Sequence, residues 1–492
     1  MTPWRRLNAR MLLVHPIETL LRLLPALVVV LIARSDSDSR WELIALPFIV
    51  AFGVMRWVTT RYRIVDGQIE LQRGLLNKQT TTARLDKVRT VDLTAKLHHR
   101  LLGLAKVEIS TGGGPRDRLV LDSLLVDEGR RLRVELLHRA NPEITGLPAP
   151  TGTPVEVGEL GPDLEVAPVA DEEVLLALDP AWVRYAPLTT TGLATAAAAL
   201  GFLTQGFTRF AEQSEVLVER ARGLRELDWW IDVVLVLLLV CGLAVSAYVL
   251  TFWGFRLTRN RHGSLHTRRG LLTTRETSID PARVRGIQID EPLGLRLAGA
   301  RRLKVVTTGL LREQGGSDWL CPPAPTATVT SLACQIRPDE QAVSGPLRSH
   351  GPTARRRRLT RAVLPVLVVV ALLVVGRLVW GWTAALLGVA PVLAVAAVAL
   401  GVDRYRSLGH AVTAEHLVTR HGSLDRQRVV LDREGIIGWK VEQSFFQRRA
   451  GVATLVATTA AGRQHYDLVD VPVDRAYEVL AEVSPDLLAE FA

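Results

Sequence analysis

The sequence predicts an α+β membrane protein of three repeats, each a transmembrane helical hairpin followed by a β-barrel or sheet unit that a C-terminal helix caps. Three observations predict this fold. Long apolar runs come in pairs, tryptophans gather at the run ends, and the polar segment after each pair carries the same glycine spacing. The 492 residues are 48% hydrophobic and 22% charged, with a mean hydropathy of +0.19. That composition excludes intrinsic disorder, collagen and a disulfide-rich secreted scaffold. Cys241, Cys321 and Cys334 lack partners at zinc-like spacing and read as reduced thiols of a cytosolic compartment.

A membrane-crossing helix needs about 20 mostly apolar residues. Residues 41–58, 182–205, 230–253, 362–379 and 383–402 meet this requirement. Residues 17–33 form a weaker sixth span, with Glu18 and Arg22 in the first turns. A signal peptide is the competing reading of that segment, but a second apolar run begins almost at once and no clear cleavage site precedes it. Eight of the eleven tryptophans (4, 319 and 439 being the exceptions) sit at or beside span ends. Indole rings favour that headgroup layer.

Lys/Arg bias sets the expected orientation. Arg5, Arg6 and Arg10 precede the first span, Arg56, Arg61 and Arg63 follow the second, and Arg256, Arg259 and Arg261 follow the fourth. Four arginines at 355–358 precede the fifth span, and Arg404 and Arg406 follow the last. All fall on one side if the spans pair as hairpins. The opposite connections are residues 34–40, residues 206–228 with four Arg against five acids, and a tight turn at Gly381. A multi-pass plasma-membrane protein with both termini and the polar units in the cytoplasm is expected.

The polar segments repeat. The first carries Arg73-Gly74-Leu75-Leu76, then Leu102-Gly103-Leu104-Ala105; the second Arg269-Gly270-Leu271-Leu272, then Ala298-Gly299-Ala300-Arg301; the third His421-Gly422-Ser423-Leu424, then Ala450-Gly451-Val452-Ala453. The two glycines are 29 residues apart in every copy. An alternating pattern follows the second: Val107, Ile109, Thr111; Leu303, Val305, Thr307; Leu455, Ala457, Thr459. Period-two alternation predicts half-buried strands, and glycine at a fixed site predicts a turn with positive φ or a close backbone approach. Each copy ends in a helical pattern, at 127–139, less distinctly at 328–336, and after Pro472.

These readings divide the chain into hairpin 15–58, β unit 59–140, flexible linker 141–173, hairpin 180–253 with outer loop 206–228, β unit 254–337, linker 338–359, hairpin 360–402 and β unit 403–492.

The arrangement resembles the bacterial PH-domain membrane proteins of the YdbS/YdbT type. The resemblance rests on the span pair, the Arg-Gly-Leu-Leu unit and the Leu-Gly-Leu-Ala turn before a Val-x-Ile strand. His15-Pro16, Leu178-Asp179-Pro180 and the segment from Trp182 to Pro187 are similar to that family's pre-membrane motifs. It implies a PH-like fold in each copy, a seven-stranded, sharply bent sheet capped by a helix, and carries over no catalytic residue. Copy three departs most, with His421-Gly422-Ser423 in place of Arg-Gly-Leu.

Chemistry is scarce in the sequence. The glycine-rich run from Ser110 to Pro115 lacks the Lys-Ser/Thr of a phosphate-binding loop and reads as a loose hairpin. His98-His99 reads as a solvated turn rather than a metal site. Neither a His-Glu-x-x-His nor a Gly-x-Ser-x-Gly motif occurs. No catalytic residue, metal or cofactor is expected. The strongest polar signal lies between Gly254 and Arg312, with thirteen basic residues against four acids. Arg256, Arg259, Arg261, Arg268, Arg269, Arg301, Arg302 and Lys304 are the candidate residues for an anionic lipid or acidic partner. General attraction to the membrane surface, which also sets topology, is the competing reading. Nucleic acid is disfavoured because aromatics do not interleave with the charges. The expected partners are the bilayer, its anionic headgroups and a membrane protein. The expected role is binding or scaffolding at the inner leaflet without catalysis, and a transporter or permeation component built from the six spans is the alternative.

Overall fold

The computed structural model describes residues 5–6, 61–65, 68–73, 78–84, 90–110, 118–132, 172–189, 194, 201, 229–261, 263–308, 318–381 and 383–485. The chain divides into two compact units, one of residues 1–178, 250–283 and 309–317, the other of 179–249, 284–308 and 318–492.

The first copy contributes β1 (Arg5–Arg6), β2 (Arg61–Val65), β3 (Gln68–Arg73), β4 (Gln79–Arg84), β5 (Thr90–Ala95), β6 (Leu104–Ser110) and β7 (Arg118–Leu125). The second contributes β8 (Glu173–Ala177), β9 (Arg256–Arg259), β10 (Leu265–Arg269), β11 (Thr274–Ile279), β12 (Val284–Pro292), β13 (Ala300–Thr307) and β14 (Trp319–Pro325). The third contributes β15 (Gly409–Val412), β16 (His416–His421), β17 (Asp425–Asp432), β18 (Ile436–Glu442), β19 (Val452–Thr459) and β20 (His465–Pro472). Seven strands per copy thus hold for copies one and two. In copy three an isolated bridge between Arg348 and His410 stands where the first strand would be.

That first strand precedes the membrane segment in each copy. β1 pairs with β2 across residues 7–60, and β8 pairs with β9 across the third and fourth expected spans. Residues 7–60 and 178–255 are therefore insertions between strands one and two of their β units, not separate elements in front of them.

In the first unit, β1 to β4 form one sheet and β7-β6-β5-β11-β10-β9-β8 another. Alternation places Val91, Leu93, Val107, Ile109, Leu119 and Leu121 on one face, where they bury against Tyr62, Ile69 and Leu71 of the smaller sheet. A register shift between Ala105 and Val107 turns Leu124 into the same core. Residues 126–132 are helical and cap it with Leu132.

In the second unit, β14-β13-β12-β17-β16-β15 form one sheet and β18-β19-β20 another. Leu417, Val429 and Leu431 bury against Leu455, Ala457 and Leu468. The closing helix Val473–Val483 adds Ala476, Val479, Leu480 and Val483, one face at helical spacing. In both large sheets the last three strands of one copy join the first strands of the next, β5 to β11 and β12 to β17.

The described turn glycines behave as predicted; Gly74 lies outside the described residues. Gly103, Gly299 and Gly451 have φ of 67°, 67° and 63°, each after a short helix: Leu97–Leu101, Leu293–Leu297 or Phe445–Arg449. At Gly270 and Gly422 a Cβ would stand 2.0 and 2.1 Å from the backbone oxygen three residues on.

Three described helices are long and apolar enough to cross a membrane: α1 (Trp229–Phe252), α4 (Gly351–Trp380) and α5 (Ala390–Arg406). Two shorter helices, α2 (Thr326–Ile336) and α3 (Glu340–Ser344), precede α4. α4 and α5 pack along each other, with Gly401 tight against Leu359 and Ala362. Their outward leucines and valines are exposed, as are the end residues Trp253 and Trp380. Expected spans 17–33 and 41–58, most of 182–205, the outer loop 206–228 and the glycine-rich run after Ser110 lie outside the described residues.

Three expectations need correction. The start of the third expected span is a 3-10 helix, Pro180–Leu188, with Trp182 buried; Pro187 blocks a regular helix there. The segment 338–359 is no loose linker, because Asp339 caps α3 and α4 begins at Gly351. His99 is not solvated: it is buried on the short helix, 3.5 Å from Asp122.

A candidate anion pocket beside the membrane helices

In the second unit a pocket of about 480 Å³ gathers four guanidinium groups, from Arg301, Arg420, Arg426 and Arg428. Strand register explains the gathering. Arg420 on β16 lies opposite Arg428 on β17, and Arg426, two residues before it, lies opposite Glu291 on β12. Side chains two apart share a face. Arg301 reaches Glu291 at 2.6 Å and Arg426 reaches it at 3.3 Å. The remaining wall comes from Thr326 and Thr330 of α2 and from residues 344–347, which lead from α3 towards α4.

Arg428 is buried, and its donors meet carbonyls rather than a carboxylate: Ala342 O at 2.8 and 3.0 Å, Gly345 O at 3.0 Å and Gln341 O at 3.3 Å. Burial, then the charges of Arg420 and Arg301, push its pKa down to about 10. Burial first, and then Arg426, lowers Arg420 as well. Among the described residues Glu291 is the single carboxylate that these four arginines share, and an anion entering the pocket would add to the charge that answers them.

The pocket borders the foot of the hairpin. Arg420 donates to Arg406 O at 3.0 Å and Ser407 O at 3.2 Å, where α5 ends, and Arg426 Nε donates to Ser407 Oγ at 3.1 Å. A second polar cluster fixes the start of α4. Asp470 is fully buried, and Arg357 and Arg358 pair with it at 3.0 and 2.7 Å. Gln447 donates to the same carboxylate at 3.0 Å. His350 Nδ1 meets Val469 O at 2.8 Å, and its Nε2 meets His410 Nδ1 at 3.0 Å.

The eight residues singled out by the sequence do not converge on one site. Arg256 and Arg268 are exposed and lie opposite each other on β9 and β10 in the first unit. Arg268 also stands 3.6 Å from Glu276, and Arg261 is exposed. Arg259 is half-buried, while Arg269 is buried with its guanidinium over the Phe252 ring. In the second unit Arg302 pairs with Asp290 at 3.1 Å, Lys304 lies 3.7 Å from the same carboxylate, and both stand over Trp319. Only Arg301 belongs to the pocket. The sequence reading does not single out Arg420, Arg426 and Arg428; the i, i+2 spacing of Arg426 and Arg428 on β17 is the available signal. Among the described residues no group of three or more His, Cys, Asp or Glu could hold a metal.

The short helices lie by membrane-helix feet too. Arg100 donates to Leu271 O, and Leu271 N bonds Leu250 O near the end of α1. Arg296 pairs with Asp403 of α5 at 2.9 Å, and Ser444 accepts from Arg357 of α4 at 3.4 Å. These helices expose Leu97, Leu101, Leu297, Phe445 and Phe446.

A family model described as "Bacterial PH domain" matches residues 18–140, 195–333 and 362–486. The chain belongs to the bacterial PH domain family. Its three matched segments correspond to the three copies, and each begins within a span expected from the sequence. The chain is also similar to the "UPF0699 transmembrane protein YdbT" of Bacillus subtilis (strain 168), with 19% identity over 493 residues, covering 93% of this chain and 94% of that one. No solved structure matches. It is thus a membrane protein with repeated PH-like sheet units.

Proposed function

We propose that this protein holds anionic lipid headgroups at the inner leaflet, with its PH-like units presented in the cytoplasm and no catalytic step. The observation that carries this reading is the position of the four-arginine pocket at the foot of α4 and α5, where a lipid phosphate would lie. Each short helix places exposed Leu or Phe side chains near such a foot, suited to the interfacial layer. In the proposed topology each repeat crosses the bilayer twice, giving six spans with both termini inside.

Native mass spectrometry of the full chain, released from bilayers of mixed phosphatidylglycerol and phosphatidylcholine, tests the ligand. Retained phosphatidylglycerol is expected, lost in Arg428→Met and Arg420→Gln and unaffected by Arg256→Gln. Equal retention of both lipids, or retention indifferent to Arg428 and Arg420, would overturn the reading. Reporter fusions after residues 140, 215 and 345 test the topology, with 215 alone expected outside.

A further inference from the structure

We infer that the free edge of β18 pairs with β4 of a second copy of this chain, so that the protein associates head to tail in the membrane. Inside one chain the first strand of each C-terminal sheet takes the last strand of the next copy's N-terminal sheet as its antiparallel neighbour: β5 takes β11, and β12 takes β17. Two strands are left over. β18 ends its three-stranded sheet and β4 ends its four-stranded sheet. They are the same two repeat positions, one at each end of the series.

The register of the two internal junctions is identical. Leu93 lies opposite Glu276, and Ile289 lies opposite Arg428. With the copies aligned on Gly74, Gly270 and Gly422, these are the same pair of positions. Carried to the free edges, that register places Val441 opposite Thr80, Lys440 opposite Thr81 and Glu442 opposite Gln79. Among the described residues neither edge has a neighbouring strand. Ile437 and Val441 are exposed, and so are Gln79, Thr80, Thr81 and Thr82. An uncovered edge strand is a template for another chain.

Gly438 points to the same occupant. Its counterpart in β12 is Gly286, where a Cβ would stand 2.1 Å from Val430 O of the neighbouring strand, so close pairing demands glycine there. The β5–β11 ladder ends at Asp92 and Thr277, short of this position. At Gly438 the nearest atom to a Cβ is the Thr458 side-chain oxygen at 3.3 Å, and φ is not positive. Among the described residues of the protomer nothing approaches Gly438 as β17 approaches Gly286. In the extended ladder Thr82 O of the second copy takes the place of Val430 O. A heterologous contact of this kind builds a ring or an open row, and confinement to a bilayer raises the encounter rate.

Disulfide trapping tests the pairing in full-length protein in bilayers. Differently tagged Thr81→Cys and Lys440→Cys chains are mixed and oxidised, with each variant alone and wild type as controls for the native thiols. A mixed disulfide dimer is expected from this pair, more than tenfold above Thr81→Cys with Glu442→Cys, and lost when Gly438→Val is added to the Lys440→Cys chain. Folding of the Gly438→Val chain is checked by its unchanged melting temperature. Absence of the mixed dimer, equal trapping by the shifted pair, persistence in the Gly438→Val chain, or a purely monomeric mass in bilayer discs would overturn the proposal.

Discussion

Arg358 Nη2 lies 2.7 Å from Asp470 Oδ2, joining the first turns of a membrane helix to a fully buried carboxylate in the last β strand of the chain. Arg357 meets the same carboxylate at 3.0 Å. Asp470 has a φ of 55°, a left-handed conformation that Asp and Asn tolerate better than most residues. The start of α4 is thereby tied to the β unit that follows it.

Asp470→Asn keeps the shape and the backbone but leaves two arginines without a counter-charge. Removing one partner of a buried ion pair costs about 3–5 kcal/mol. The expected outcome is a large drop in melting temperature by thermal scanning fluorimetry. A drop as small as that of a surface substitution would show that the cluster does not hold the hairpin foot.

The neighbouring histidines set an acid limit. Burial pushes the His350 imidazole down to about 4 and the His410 imidazole down to about 3, the latter also opposed by His350, Arg475 and Arg348. Asp470 works the other way on His350. The unfolded chain binds protons near pH 6.5 while the folded chain does not. Stability is therefore full above that pH and falls as pH drops towards 4, at up to about 1.4 kcal/mol per pH unit for each histidine. Melting curves of wild type and His410→Asn between pH 7.5 and 4.5 should show a shallower decline in the variant. Parallel declines would contradict the assignment.

Gly286 and Gly438 make a paired test of the shared sheet. Gly286→Ala forces a Cβ against Val430 O and should cost at least about 2 kcal/mol by displacing backbone. Gly438→Ala meets only a side-chain oxygen and should stay within about 1 kcal/mol. Denaturant midpoints check both. Equal costs would mean that β12 and β17 do not pair as described.

Glu291 answers both Arg301 and Arg426. Glu291→Gln should lower stability and tighten anion binding, read as a larger phosphate-induced rise in melting temperature than in wild type. A smaller rise would mean that the carboxylate organises the pocket rather than neutralising it.

Phe446 is 71% exposed on a short helix at the foot of α4. A nitroxide at Phe446→Cys in bilayers should be relaxed more by oxygen than by a water-soluble nickel chelate. The reverse ratio would place that helix away from the interface.

The repeat, the apolar runs and the positive-φ glycines were legible in the sequence because each is local or periodic. The place of the apolar segments inside the β units was not, since β1 is two residues long and β8 follows a segment that reads as linker. Pairing across copies was hidden for a different reason. Nothing in Asp92 or Thr277 says whose edge the strand will meet. The basic stretch drew attention by charge density, yet Arg302 and Lys304 are answered by Asp290. The buried Arg428 stands where β17 changes from polar to apolar residues, and only cross-strand register brings it to Arg420 and Arg301.

A high-resolution cryo-EM map of the full chain in discs containing phosphatidylglycerol tests the central claim most directly. The account predicts headgroup density among Arg301, Arg420, Arg426 and Arg428, with α4 and α5 inside the disc. An empty pocket at saturating lipid, or α4 and α5 lying outside the bilayer, would contradict it.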